Sequence, residues 1–126
     1  MSDNSNVEDP RERLEVFGAF MGGIIMEFDR DLRYERVWTA HPGLLALPAE
    51  NLVGRNVNDV LGPHELAMLR EAVARVDATG EPTALDYTLD VPDGRRAFSA
   101  ELRARFTGER RTYLMLIRDV TEARAL

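Results

Sequence analysis

Asp86, Asp90 and Glu101 fall in two stretches that fold back on one another, and carboxylates on neighbouring strands are the raw material of general acid–base chemistry. They alternate, however, with Leu85, Tyr87, Leu89, Phe98, Ala100 and Leu102. That alternation turns the apolar set inward and the carboxylates towards solvent, without a shared pocket or a base partner. The two histidines, His41 and His64, have no Ser or Asp at a spacing that builds a nucleophile and its base. His41 lies in a turn before Pro42, and His64 follows Pro63 at a helix start, where a solvated or capping role is expected. Composition removes most remaining chemistry. Zero Cys excludes thiolate nucleophiles, iron–sulfur ligation, Cys-based zinc sites and disulfides. There is no Lys either, so Schiff-base chemistry and a phosphate loop closing in Gly-Lys are excluded. No metal motif is present, and catalysis within this chain is not expected.

All 16 basic residues are Arg, set against 22 acidic residues for a net charge of -6. Nucleic acid is therefore not an expected partner, since it wants a basic stripe matched to phosphate spacing. Arg95-Arg96 and Arg110-Arg111 fall in turns, while Arg103 and Arg105 alternate with apolar residues and should face outward. A chain of 126 residues with 44% hydrophobic content forms one domain able to close a core without disulfides or a structural metal. The longest apolar run, Phe17–Met26, is broken by Gly18, Gly22 and Gly23 and follows an acidic stretch. It falls short of the roughly 20 residues that cross a bilayer and does not read as a signal peptide, so a cytoplasmic location is expected.

Hydrophobic periodicity places the elements. Residues 1–10 are polar and acidic and read as a disordered lead-in. Leu14, Phe17 and Met21, with Phe20 beside them, recur at helical spacing after Asp9-Pro10, which predicts an amphipathic cap helix over 11–22. Ile24, Met26 and Phe28 then share one face of a strand; a polar turn over 29–33 leads to a second strand, Tyr34–Thr39. From His41 to Arg55 the chain is interrupted too often for one helix, and short helical turns are expected. Pro63 opens the clearest helix, with Leu66, Leu69, Val73 and Val76 on its packed face and Gly80 at its stop. Two alternating strands follow, Leu85–Val91 and Phe98–Phe106, joined at Pro92-Asp93-Gly94. The last strand, Thr112–Val120, is apolar on both faces, with Tyr113, Met115 and Ile117 on one and Leu114 and Leu116 on the other. Such a strand belongs in the middle of its sheet. The order predicts an α+β domain with a five-stranded antiparallel sheet.

That order and several local strings resemble a PAS domain, the small sensory module of bacterial signalling proteins. The matching residues are Ile24–Asp29 with the following turn and strand, Leu44-Leu45, Leu52-Val53-Gly54-Arg55-Asn56-Val57, Asp59-Val60-Leu61, Ala78-Thr79-Gly80-Glu81-Pro82, Pro92-Asp93-Gly94 and Arg118-Asp119-Val120-Thr121-Glu122. The PAS domain would span 23–120. The resemblance implies a sheet in the order 2-1-5-4-3 with helices over one face, enclosing an apolar pocket. Periodicity supplies its wall: Met26, Phe28, Leu45, Val57, Leu61, Leu66, Leu69, Val73, Tyr87, Phe98, Leu102, Tyr113, Met115 and Ile117. These side chains either fill the core or surround a ligand, and sequence leaves both open.

The family's cofactors can be weighed against residues here. Zero Cys removes the thiol-adduct flavin and the thioester-linked chromophore. The helix position that carries a His in haem-binding members is Leu69, so haem is not expected. Non-covalent flavin is not excluded, and Trp38 is the candidate stacker; its other reading is a lid over Leu44-Leu45. No cofactor is expected, and a small apolar or amphipathic ligand fits the wall best.

Asp119 stands three residues ahead of Glu122, at capping-box spacing, which reads as a strand end running into a helix cap. The resemblance implies that Asp119, Thr121 and Glu122 form the signal junction and residues 121–126 the start of an output linker helix. The resemblance implies an input domain of a histidine kinase or diguanylate cyclase type protein, covalently joined to an output domain. A homodimer is expected through Leu14, Phe17, Phe20 and Met21 together with the outer-face Leu114 and Leu116. The alternative is a ligand-free dimerisation or interaction module.

Overall fold

Five short stretches of alternating or β-branched side chains form the scaffold that the helical segments must cover. The computed structural model describes residues 23–122. The expected lead-in, the cap helix with Leu14, Phe17, Phe20 and Met21, and the linker beyond Glu122 lie outside the described residues.

Strands β1 (Gly23–Phe28) and β2 (Tyr34–Thr39) form an antiparallel pair with Met26 opposite Val37 and Ile25 opposite Trp38. Asp29 closes their turn by accepting the amides of Asp31 at 2.8 Å and Arg33 at 2.9 Å. Leu32 takes a φ of 65°, a left-handed conformation unfavourable for a branched side chain. Its side chain nevertheless reaches the core and is only 5% exposed. That burial, worth about 1.5–3 kcal/mol, offsets the backbone strain. The turn expected to be polar thus contributes a core residue.

The interrupted run after β2 forms a 3₁₀ turn at Pro42–Leu44, the short helix α1 (Ala49–Leu52), a second 3₁₀ turn at Val57–Asp59 and the long helix α2 (Pro63–Thr79). Backbone hydrogen bonds stitch this run to the edge of β2. The Gly54 amide donates to Tyr34 O at 2.8 Å, the Tyr34 amide to Arg55 O at 2.9 Å, and the Val57 amide to Leu32 O at 3.0 Å. Helix α2 starts on a proline and stops at Gly80, whose φ of 75° suits glycine and whose amide donates to Val76 O. Leu69, Ala72 and Val76 are its buried residues, while Leu66 and Val73 flank them half-buried. The packed face is therefore centred on Ala72, which a reading of large apolar residues passes over.

Strands β3 (Thr83–Val91), β4 (Gly94–Thr107) and β5 (Arg110–Asp119) complete one sheet in the order β2-β1-β5-β4-β3, with every pairing antiparallel. The doubly apolar β5 is the central strand. Ile117, Met115 and Tyr113 face Ile24, Met26 and Phe28 across β1, and Ala100, Leu102 and Ala104 across β4. These inner-face residues join Leu45, Leu52, Val57, Leu69 and Val76 in one core. Phe106 departs from the expected alternation: it is 66% exposed. β3 pairs with β4 only as far as Leu102, so the end of β4 projects beyond the layers that would cover Phe106.

Candidate ligand cavity and signal junction

Period-two alternation in β1, β3, β4 and β5 aims Ile24, Met26, Phe28, Leu85, Tyr87, Leu89, Phe98 and Met115 at the helical layer. Leu44, Leu45, Leu52, Val60, Leu61, Met68 and Leu69 come down to meet them. The two sets do not close completely. A cavity of about 50 Å³ remains between them, with Tyr34, Ala46 and Glu65 completing its wall. A site able to hold one water needs about 10–15 Å³ of such space, so this one holds only a few heavy atoms as it stands. Three of its wall residues, Met26, Met68 and Met115, have unbranched, rotatable side chains that can repack around an occupant.

The polar groups of the wall are few. Tyr34 stacks obliquely on Phe28 with ring centroids 5.0 Å apart, and Tyr87 on Phe98 at 5.5 Å. Burial pushes both phenols above the ordinary tyrosine range, and Tyr34 further disfavours ionisation of Tyr87. Both therefore stay neutral donors. Glu65 is the one charged residue of the wall among the described residues, and its carboxylate folds back towards Gly62 at the start of α2.

The end of β5 is tied to the start of β4. The Val120 amide donates to Ala97 O at 2.8 Å, and the Ala97 amide donates to the Thr121 hydroxyl oxygen at 2.9 Å. Asp119 Oδ1 accepts both the Thr121 amide, at 3.0 Å, and its hydroxyl, at 2.5 Å. Arg96 reaches Asp119 Oδ2 at 3.3 Å. A helix begins at Thr121. Met115 in the cavity wall precedes Asp119 by four residues on one strand, and Phe98 in the same wall adjoins Ala97.

A sequence profile of the PAS fold matches residues 21–125. The chain belongs to the PAS fold family. This PAS domain is similar in structure to that of the Cronobacter turicensis RpfR quorum-sensing receptor in complex with BDSF, at 20% identity and a TM-score of 0.62, over 79% of this chain and 95% of that one. A sensory box sensor histidine kinase from Vibrio cholerae matches at 12% identity and a TM-score of 0.64, over 94% and 99% of the two chains. A PAS domain from Colwellia psychrerythraea matches at 14% identity and a TM-score of 0.69, over 90% and 99%. No curated protein matches the chain by sequence.

Within this PAS domain the expected wall residues divide. Met26, Phe28, Leu45, Leu61, Leu69, Tyr87, Phe98 and Met115 line the cavity. Val57, Leu66, Val73, Leu102, Tyr113 and Ile117 pack elsewhere in the core. Trp38 is on the other side of the sheet, opposite Ile25, where it neither stacks in the cavity nor covers Leu44-Leu45. One residue of strand parity decides this: Val37 and Thr39 face inward, so Trp38 cannot. Ile24, Tyr34, Leu44, Ala46, Leu52, Val60, Glu65, Met68, Leu85 and Leu89 line the cavity without having been expected there, although Tyr34 shares inward parity with Val37 once the bulge at Glu27/Phe28 is counted.

Leu114 and Leu116 lie on the outer face, buried and half-buried respectively. Sequence reading also missed a buried polar cluster there. Glu27, 5% exposed, accepts the Thr112 hydroxyl at 2.8 Å and lies 3.4 Å from Arg36 and 3.6 Å from Arg105. Its signal was the opposite charge of Arg36 directly across β2. Asp86 and Asp90 are exposed, and Asp90 and Glu101 pair with Arg95 and Arg103 rather than converging on a pocket. His41 and His64 are exposed, and no cluster of metal-ligating side chains occurs among the described residues. No helix there is long and apolar enough to cross a membrane.

Proposed function

We propose that this chain is the input domain of a bacterial signalling protein of histidine kinase or diguanylate cyclase type, with a small molecule entering the cavity as its signal. One observation carries the reading: strand β5 runs from the cavity wall at Met115 straight into the Asp119–Thr121 junction. A ligand that repacks Met115 and Phe98 changes the two strands whose ends hold Ala97 and Thr121 together. The signal is then the difference in ligand affinity between two packings of the junction, and nothing more is required energetically. Similarity to a receptor domain in complex with BDSF and to a sensor histidine kinase supports this reading.

The domain itself is non-catalytic in this reading and works in the cytoplasm, with chemistry supplied by an attached output domain. It carries no haem or flavin. Leu69 offers no metal ligand, Trp38 faces away, and about 50 Å³ is small beside the roughly 300–1,000 Å³ typical of cofactor and ligand sites. In this reading the protein is a homodimer whose contact includes the outer sheet face. The small cavity favours a second reading, a ligand-free interaction module that acts through the same outer face.

Native mass spectrometry of freshly purified protein tests the choice. A dimer carrying non-covalent small molecules that leave on mild activation is expected. A bare dimer, whose cavity also refuses xenon under pressure, contradicts the ligand reading and leaves the interaction module. Deleting residues 1–22 should yield a monomer in sedimentation.

A further inference from the structure

Buried tyrosine hydroxyls normally find a hydrogen-bond partner, and this chain shows both outcomes. Tyr113 donates to Asp77 Oδ1 at 2.7 Å. Tyr34 and Tyr87, both in the cavity wall, make no hydrogen bond through their hydroxyls to any described residue. Tyr34 is only 4% exposed as a residue. Each ring is held by an aromatic neighbour, Phe28 for Tyr34 and Phe98 for Tyr87. Their positions are therefore set before any ligand arrives, which removes an ordering penalty from binding.

We propose that the cavity selects a compact, neutral molecule whose hydrogen-bond acceptor docks on the free phenol hydroxyls of Tyr34 and Tyr87. This rests on the reading of the cavity as a ligand site and adds the chemistry of the ligand. Charge discriminates most strongly. Among the described residues no cationic side chain lines the cavity, and the single charged one is Glu65, so a carboxylate would enter without a counter-ion from them and against a like charge. A carbonyl or amide oxygen instead completes two donors that have no partner among the described residues. An amide adds a donor of its own, which suits the Glu65 side of the wall. The rest of the wall is apolar, and the volume of about 50 Å³ restricts the ligand to a few heavy atoms unless the three methionines move. The ligand class is thus a short-chain amide, ketone or alcohol, in contrast to a fatty acid.

Butyramide and butyrate are near-isosteres that differ in charge, and xenon reports whether the cavity admits anything at all. Titration by NMR at pH 7 of the wild-type chain and of the Tyr34→Phe/Tyr87→Phe variant separates the claims. The expected result is xenon uptake by both proteins and butyramide binding to the wild type at least tenfold tighter than butyrate. The double variant should lose about tenfold for butyramide and nothing for xenon. Xenon uptake combined with equal binding of the amide and the acid, no binding of butyramide, or an unchanged butyramide affinity in the double variant overturns the proposal while leaving the cavity as a ligand site. No xenon uptake by the wild type overturns the ligand-site reading, and this proposal with it. Folding is not at risk as an explanation, because removing two unpaired hydroxyls deletes no hydrogen bond within the described chain.

Discussion

The Thr121 hydroxyl oxygen accepts the Ala97 amide at 2.9 Å, joining the second residue past β5, as the preceding Val120 is also joined, to a residue adjacent to the cavity wall. Thr121 is at the same time fixed by Asp119. The junction is therefore a hydrogen-bonded corner rather than a loose exit. Thr121→Val removes the acceptor and leaves the Ala97 amide unpaired. A net loss of about 1 kcal/mol is expected, read as roughly fivefold faster exchange of the Ala97 amide, with Thr121→Ser close to wild type.

All three tyrosines of the chain, Tyr34, Tyr87 and Tyr113, have their pKa raised. Burial is the leading cause in each, and Tyr113 adds its hydrogen bond to Asp77. A phenol whose folded pKa exceeds its unfolded value holds its proton longer when folded. The folded state then binds more protons above about pH 10, and stability falls as pH rises past that point, being complete below it. Tyrosinate absorbance should consequently stay low in the folded protein and rise in one cooperative step with loss of structure. A gradual rise from about pH 10 with the fold intact contradicts the burial of these rings.

Glu27 sits among Arg36, Arg105 and Thr112 on the outer face, and Arg105 Nη1 is buried without a hydrogen bond. Glu27→Leu keeps the volume but strands two guanidinium groups and one hydroxyl. Because the arginines retain some solvent, a loss of about 2 kcal/mol is expected in denaturant unfolding, below the 3–5 kcal/mol of a fully buried pair. Glu27→Gln, which can still accept from Thr112, should lose less.

A Cβ added at Gly43 would collide with the Asp93 carboxylate, and the Asp93 amide donates to Gly43 O at 3.1 Å. The β3–β4 turn is thereby latched to the 3₁₀ turn that precedes Leu44 and Leu45 in the cavity wall. Gly43→Ala forces the Asp93 side chain aside and should lose about 1 kcal/mol, most of which Asp93→Ala restores in the double variant. Additive losses would show that the two residues do not touch in solution.

Much of this architecture was legible because period-two alternation is unambiguous where one face is apolar. The double-sided apolarity of Thr112–Val120 placed β5 at the centre, and Ile24, Met26 and Phe28 announced the inner face of β1. Parity failed where a residue's type suggested more than its position did. Trp38 attracted a role in the cavity because it is large and aromatic, yet its neighbours Val37 and Thr39 take the inward places. Leu32 and Tyr34 were hidden for another reason: a left-handed turn residue and a strand bulge shift parity locally, and neither leaves a mark in composition. The cavity itself is a shortfall in packing between two layers, which no list of apolar residues can reveal.

The central claim is that occupancy of the cavity is felt at the junction. Amide NMR spectra of the wild-type chain under rising xenon pressure test it directly, since xenon enters enclosed apolar space such as this cavity. Shifts at Met115 and Phe98 that continue to Ala97, Val120 and Thr121, with the same pressure dependence, are expected. Shifts confined to the cavity wall, with Ala97, Val120 and Thr121 unmoved, would contradict the account.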